Sequence, residues 1–303
     1  MVAVQKVVVL GASGNIGLPV LKVLLAEGFE VTAVSRNPKT EVPIGVKLAV
    51  GDISNEQELE SHFRGQDALV EAFGPSAAGS QGLIVRASVK AGIKHIITPE
   101  FAGDTFNTNA GELMIYEPKI NAQKALEENS VGYDLKWTAI ITGPWYDWAI
   151  INNFFWLDKK QRTMTVFGSG NQKYSMCKTQ TIARAVVDVL RRPQDFANRP
   201  VYVADYTVST NELLAILESI SPGWEVKRVN IDNFFQTAKE KWQADRAAGV
   251  RETLGTEAYM MLGTYGMFEE SNKYGADFSD KVEPAYVNDI DQLKIELKGL
   301  LSV

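Results

Sequence analysis

The run Val7-Val8-Val9-Leu10-Gly11-Ala12-Ser13-Gly14-Asn15-Ile16-Gly17 carries the fold in its spacing. Four consecutive apolar residues read as a strand buried on both faces, and residues 16–27 follow with the period of an amphipathic helix. Each glycine between them has its own physical reason. Gly11 permits a tight turn, Gly14 lets the backbone approach a pyrophosphate, and Gly17 lets helix and strand pack closely. A helix starting here turns unpaired N–H groups and a partial positive charge toward phosphate oxygens. Ser13, Asn15 and Ile16 belong to the same turn and are expected beside the ligand. A glycine triplet alone is weak evidence; between a strand and a helix it points to a bound dinucleotide.

Downstream the same alternation repeats. Residues 7–10, 30–34, 46–50, 68–72, 95–98 and 138–142 read as strands, and 16–27, 56–64, 81–91 and 116–129 as helices. Near-continuous apolar strands separated by helices imply an α/β fold of Rossmann type, a doubly wound parallel sheet with right-handed crossovers. After about residue 143 the pattern loosens. Helices are expected at 179–191, 210–219, 231–247, 257–270 and 287–300, with a late strand at 201–204. The expectation is a nucleotide domain over residues 1–150 and a smaller, mostly helical C-terminal substrate lobe over 151–303. Segments near 179–204 would return to the first sheet.

The chain has 303 residues, 45% hydrophobic and 22% charged, enough for one large or two modest domains. A net charge of -6 argues against nucleic acid as a partner, since that needs a basic field. The single cysteine, Cys177, excludes an intrachain disulfide and fits a reducing compartment. It reads as a small apolar filler, with a nucleophile as the alternative. His62 and His95 are the two histidines, which argues against a zinc site, and no metal is expected. His95 opens the fifth strand and reads as structural; His62 is placed on an exposed helix. The first apolar run is interrupted by its glycines and is too short to span a membrane. It also lacks a signal peptide's basic head and cleavage region, so a cytoplasmic protein is expected.

The end of the second strand bears on the nucleotide. NAD sites place Asp or Glu there for the ribose hydroxyls, whereas Val34-Ser35-Arg36-Asn37 has no acid. Arg36 can stack on adenine and pair with a 2′-phosphate, with Lys39 or Lys47 assisting, so NADP(H) is expected. Asp52, after the third strand, is placed to reach the adenine amino group. Phe73-Gly74-Pro75, after the fourth, falls at the crevice where open α/β sheets collect ligands, and Phe73 and Gly74 are expected to line the cofactor.

Together with Thr98-Pro99-Glu100-Phe101, Tyr116-Glu117-Pro118-Lys119, Thr142-Gly143-Pro144-Trp145 and the helix from Thr179, these segments resemble the NmrA-like and isoflavone reductase-like branch of the atypical short-chain dehydrogenases. The resemblance implies that Lys119, on the helix after the fifth strand, sits beside the nicotinamide ribose, with Pro99 near the cofactor and Glu100 and Phe101 near the substrate. An ammonium desolvated there becomes more acidic and can relay a proton. Ordinary short-chain dehydrogenases pair Tyr with Lys four positions later; here that position is Ile115, and Tyr116 stands three residues before Lys119. Tyr116 is therefore a second candidate for the proton.

Trp145, Tyr146, Trp148, Phe154, Phe155 and Trp156 crowd the stretch where the family places a loop over the nicotinamide. Trp145, Tyr146 and Phe154 are expected as flat walls for an aromatic or polycyclic substrate, core packing being the alternative. Met260, Met261, Tyr265, Met267 and Phe268 read as a lid, a packing face or a homodimer contact. Residues 165–170 read as a strand and turn without chemistry. The function implied is an NADPH-dependent reductase of an aromatic small molecule in secondary metabolism, acting on a carbonyl, imine or conjugated double bond. Two alternatives stay open: a redox-neutral isomerase retaining NADP(H), and a non-catalytic NADP(H) sensor.

Overall fold

A computed structural model describes residues 4–154 and 156–301. Along the chain run β1 (Lys6–Leu10), α1 (Gly17–Ala26), β2 (Glu30–Ser35), β3 (Lys47–Val50), α2 (Glu56–Phe63), β4 (Ala68–Glu71), α3 (Gln81–Ala91), β5 (His95–Ile97), α4 (Glu117–Ser130) and β6 (Lys136–Ile141). Then come α5 (Tyr146–Ile151), β7 (Leu157–Asp158), β8 (Thr163–Phe167), β9 (Lys173–Met176), α6 (Thr179–Arg191), β10 (Arg199–Tyr202) and β11 (Tyr206–Ser209). The chain ends with α7 (Thr210–Ile220), β12 (Glu225–Val229), α8 (Phe234–Ala247), α9 (Glu257–Phe268) and α10 (Ile290–Leu301).

Two compact units share these elements. The first comprises residues 1–101, 117–141 and 179–201. Its sheet has the order β10-β6-β5-β4-β1-β2-β3, with β1 to β6 paired parallel. This is the doubly wound Rossmann arrangement, and the order reverses between β1 and β4. Alternation sends Val8, Leu10 and Leu69 to one face, against Leu59, Phe63, Ile84, Val85 and Leu126 of α2, α3 and α4. Right-handed crossovers place α1 and α6 on the other face, where they pack on each other. There α6 buries Ile182, Val186, Val189 and Leu190, each worth roughly 1.5–3 kcal/mol against exposure. Helix ends are specified locally: the Asn55 side chain accepts the N–H groups of Gln57 and Glu58 to start α2.

The second unit comprises residues 102–116, 142–178 and 202–303. It holds α5 and α7 to α10, the antiparallel pair β11-β9, and a three-stranded sheet β12-β8-β7. One core gathers Tyr146, Met164, Tyr174, Phe268, Leu293 and Leu297; a second gathers Leu113, Ile115, Trp242 and Leu262. A smaller, mostly helical lobe was the expectation. The second unit is about as long as the first, and beside its helices it carries short strands, with β8 at the strand expected from residue 165. Its β12, Glu225-Val-Lys-Arg-Val, is largely exposed and carries too many charges to read as a buried strand. A single cut at residue 150 also misses the interleaving, because 102–116 and 142–150 belong with the second unit. Among the described residues no helix is long and apolar enough to cross a membrane.

Candidate active site

The glycine turn sits where the sheet order reverses. Gly11 has φ +77°, and a Cβ there would stand 2.5 Å from the carbonyl oxygen of Ala72, at the end of β4. A Cβ on Gly14 would lie 3.1 Å from the Gly11 carbonyl, and one on Gly17 would drive into that same oxygen. The turn closes through a 2.9 Å bond from Gly14 N–H to Gly11 C=O. α1 then starts with no side-chain cap and no acid in its first turn, so its positive end is not neutralised from within. Ser13 and Asn15 are exposed on the turn, while Ile16 is buried beneath it. Backbone so closely approached, with an open helix end, fits a pyrophosphate.

Arg36 and Lys39 are exposed just beyond β2. Ser35 and Asn37 fold this loop onto itself: Ser35 Oγ lies 2.7 Å from Thr40 Oγ1 and accepts Asn37 N–H at 3.2 Å, and Asn37 accepts Lys39 N–H. The two cations are therefore held on a turn made of neutral groups. Asp52 is exposed, and its Oδ1 accepts the Ser54 N–H at 2.9 Å; this bond, with a smaller contribution from Arg36, holds its carboxyl below the usual range. His62 differs from expectation. It is half-buried, folds over Gly51 and meets the Val50 carbonyl at 2.9 Å, so it closes the β3 loop. Phe73 is half-buried and Gly74 exposed at the switch point, and Gly74 leads into the short 3-10 turn Pro75–Ser80 before α3.

The chemistry-bearing groups of this unit are buried beside the C-terminal ends of β4 and β5. Pro118 in the first turn of α4 sets where Lys119 stands, and Lys119 is 7% exposed. Its Nζ donates to the Glu100 backbone carbonyl and lies 3.8 Å from Glu100 Oε2. One turn along, Gln123 Nε2 donates to Glu100 Oε1 at 2.9 Å. Burial pulls the Lys119 ammonium below its ordinary range, and the Glu100 charge opposes part of that fall. Phe101, buried, takes φ +38°, a left-handed conformation uncommon for a side chain of this size. Sequence reasoning missed Glu71, Gln81 and Gln123. Glu71 is fully buried, and Gln81 Nε2 donates to both its oxygens at 2.9 and 3.1 Å. A carboxylate inside Ala68-Leu69-Val70-Glu71-Ala72 was the available signal. His95 is structural: buried, it meets Thr138 Oγ1 at 2.8 Å, and burial pushes its pKa down to about 4.

The remaining candidates stand in the second unit. Tyr116 ends a 3-10 turn, and its phenol oxygen lies over Gly103, whose missing Cβ makes room for it. Trp145 is half-buried, donates to Thr142 Oγ1 at 3.3 Å and meets Trp148 edge-on at 5.9 Å. Phe154 is 64% exposed and stacks on Trp148 at 5.3 Å. Tyr146 is corrected. It has no exposed surface, its ring is part of the core and its hydroxyl is bonded to Glu296, so it offers no wall to a ligand. Phe155 lies outside the described residues. Phe268 packs among Trp156, Phe167 and Tyr174, whereas Met260 is exposed. Cys177 is buried, its thiol donating to the Val203 carbonyl.

The profile of the NmrA-like family matches residues 3–298. An oxidoreductase of Aspergillus flavus, aprR, is 30% identical over 251 residues, which span 81% of this chain and 84% of that one. The structure of AtPrR2 with NADP+ and (+)pinoresinol is similar with a TM-score of 0.73 at 19% identity, covering 97% of this chain and 99% of that one. The binary complex of leucoanthocyanidin reductase with NADPH from Vitis vinifera gives 0.74 at 17% identity, over 99% and 100%. At such identities the two structures speak for the fold. Taken with the family profile and the aprR alignment, they lead to one assignment: the chain belongs to the NmrA-like family.

Proposed function

We propose that this chain is an NADPH-dependent oxidoreductase that reduces a carbonyl, imine or conjugated double bond of an aromatic or polycyclic small molecule. The observation that carries it is Lys119, buried against Glu100 in the same unit as a glycine turn shaped for a pyrophosphate. Arg36 supports the phosphorylated dinucleotide, as do the NADP+ and NADPH of the similar structures, and the aprR relative is named an oxidoreductase. When bound, the dinucleotide supplies a hydride. Gly11 to Gly17 would hold its pyrophosphate and Arg36 its 2′-phosphate, with Phe73, Gly74 and Pro99 lining its path. Lys119 gives a proton from a desolvated ammonium, and Glu100 and Gln123 hold that side chain in place. Phe154, exposed and stacked on the half-buried Trp148, offers a flat apolar surface for aromatic rings, the class to which the pinoresinol of the AtPrR2 complex belongs.

The test is NADPH oxidation by the wild-type protein against a panel of aromatic ketones, cyclic imines and enones, repeated with Lys119→Met. The variant should bind NADPH within about threefold of wild type and lose on the order of a hundredfold or more in kcat. Unchanged turnover would remove Lys119 from the mechanism. Tight NADPH binding without turnover on any panel member would favour the sensor, and a product isomeric with its substrate, formed with NADPH intact, the isomerase.

A further inference from the structure

Lys119 is not the only buried ionisable group of the first unit. Glu71, the last residue of β4, shares the face of Leu69 toward α3 and α4 and is fully buried. Its register partner on β1 is Leu10, and β5 ends beside it at Ile97. Gln81 faces it from α3; the segment after β5 brings Glu100, and α4 brings Lys119. His95, at the far end of β5, is bonded to Thr138. Among the described residues no cation contacts Glu71. The Lys119 ammonium stands instead 3.8 Å from Glu100, so of this pair of buried carboxylates Glu100 has a cation beside it and Glu71 has a neutral amide.

Gln81 tells the same story independently. Its Nε2 serves both Glu71 oxygens, while its buried Oε1 has no hydrogen-bond partner among the described residues. Among the described residues the donor that reaches Glu71 is thus one neutral amide, with no positive charge to balance an ionised carboxylate in full burial. Burial also pushes the Glu71 carboxyl up to about 8, the Gln81 bonds opposing and the Glu100 charge adding to the rise.

We propose that Glu71 is held as the neutral acid, keeping Glu100 the single anion opposite Lys119, and so acts as a positioning residue for the proton that Lys119 delivers. This rests on the reduction proposed above only in its last step. With Glu71 neutral, the buried cluster is one ammonium and one carboxylate. With Glu71 ionised, a second negative charge binds the Lys119 proton more tightly, and the ammonium becomes a poorer acid.

The test uses infrared spectroscopy and lysine NMR on the whole protein, neither of which needs turnover. A carboxylic-acid C=O band should be present at neutral pH in wild type, be absent in Glu71→Gln, and fade as pH rises through about 8. With Cε-labelled lysine, the Lys119 resonance, assigned by its loss in Lys119→Met, should have the same shift at neutral pH in Glu71→Gln as in wild type, because the amide replaces an acid that is already neutral, and the two should part only where the wild-type band has faded. A wild-type protein without that band at neutral pH, or a Lys119 resonance that Glu71→Gln shifts at neutral pH, overturns the proposal. Should Glu71→Gln not fold, the wild-type band and its loss on raising pH decide alone. A protein that shows both effects yet oxidises no NADPH keeps the Glu71 inference and refutes the reductase.

Discussion

Replacing Lys119 with Met puts a number on the buried pair. The Lys119 side chain is 8% exposed and that of Glu100 1%, with Nζ 3.8 Å from Oε2. At an effective dielectric near 20, that separation corresponds to about 4 kcal/mol of attraction. Lys119→Met removes it together with the bond to the Glu100 carbonyl, while Gln123 still donates to Oε1 at 2.9 Å. Stranding a buried carboxylate costs about 3–5 kcal/mol, so a loss of about 4 is expected. Glu100→Gln should cost less, about 2 kcal/mol, because Lys119 keeps the carbonyl and can shed its proton. The double variant leaves no unpaired charge and should cost about 3 kcal/mol, giving a coupling of about 3. For a chain of this size each kcal/mol moves Tm by about 2–4 °C, so Lys119→Met should melt about 8–16 °C early. The double variant should regain part of that fall. Differential scanning calorimetry of the four proteins, in one buffer without nucleotide, measures the cycle. A coupling under about 0.5 kcal/mol would show that the pair is not desolvated, and the case for an acidified Lys119 would go with it.

Gly11→Ala places a Cβ 2.5 Å from the Ala72 carbonyl at φ +77° and should lower Tm as well as NADPH affinity by at least tenfold, measured by calorimetry and titration; an undiminished affinity would detach the turn from the pyrophosphate. Arg36→Asp should weaken NADPH by about 2–3 kcal/mol while sparing NADH, read from paired Kd values, since a charge-assisted phosphate contact is lost and a repulsion gained. His95 has its folded pKa lowered from the model-peptide value of 6.5 to about 4, so the unfolded chain binds more protons in that window and stability falls as pH drops through it. The full effect is about 3 kcal/mol, and His95→Gln should flatten the dependence of Tm on acid pH. Glu71 has the opposite sign: its folded pKa is raised from 4.5 to about 8, so its proton stabilises the fold below the lower value and that gain is lost as pH climbs toward the upper. Glu71→Gln should remove this slope.

How much could be seen beforehand varies with the kind of signal. α3 and α6 stand at the expected residues because each has an apolar stripe of helical period, and Gly92, at φ +86°, stops α3 where a side chain would be strained. The glycine turn was equally legible, since each glycine answers to a backbone contact. The aromatic stretch was not. Aromatic rings announce burial or binding without direction, and the fold decides it, turning Tyr146 into the core, packing the half-buried Trp148 against that core and leaving Phe154 exposed. β12 was hidden for a related reason: it is held by pairing with β8, not by its own apolar period, whereas β8 itself overlaps the strand and turn read at residues 165–170.

The least legible feature is the Glu71, Glu100 and Lys119 cluster, because each member breaks a local rule. A carboxylate ends an apolar strand, a lysine is buried on a helix face, and Phe101, next to Glu100 in the chain, holds a conformation costing about 1–3 kcal/mol. None of this is needed to dock α4. Ala122 and Leu126 are buried on the same helix, and Leu126 joins the core beneath α3. Apolar residues in place of such an ion pair are often neutral or stabilising by about 1–4 kcal/mol. The fold would thus be at least as stable with leucine at 100 and 119, and stability gives no reason for the charges. Strain and desolvation stand together where a sheet of this order opens its binding crevice, which is the placement the proposed proton transfer requires. A Glu100→Leu, Lys119→Leu double variant that melts no lower than wild type, binds NADPH and has lost turnover would separate the two requirements directly; one that fails to fold would return the cluster to the scaffold.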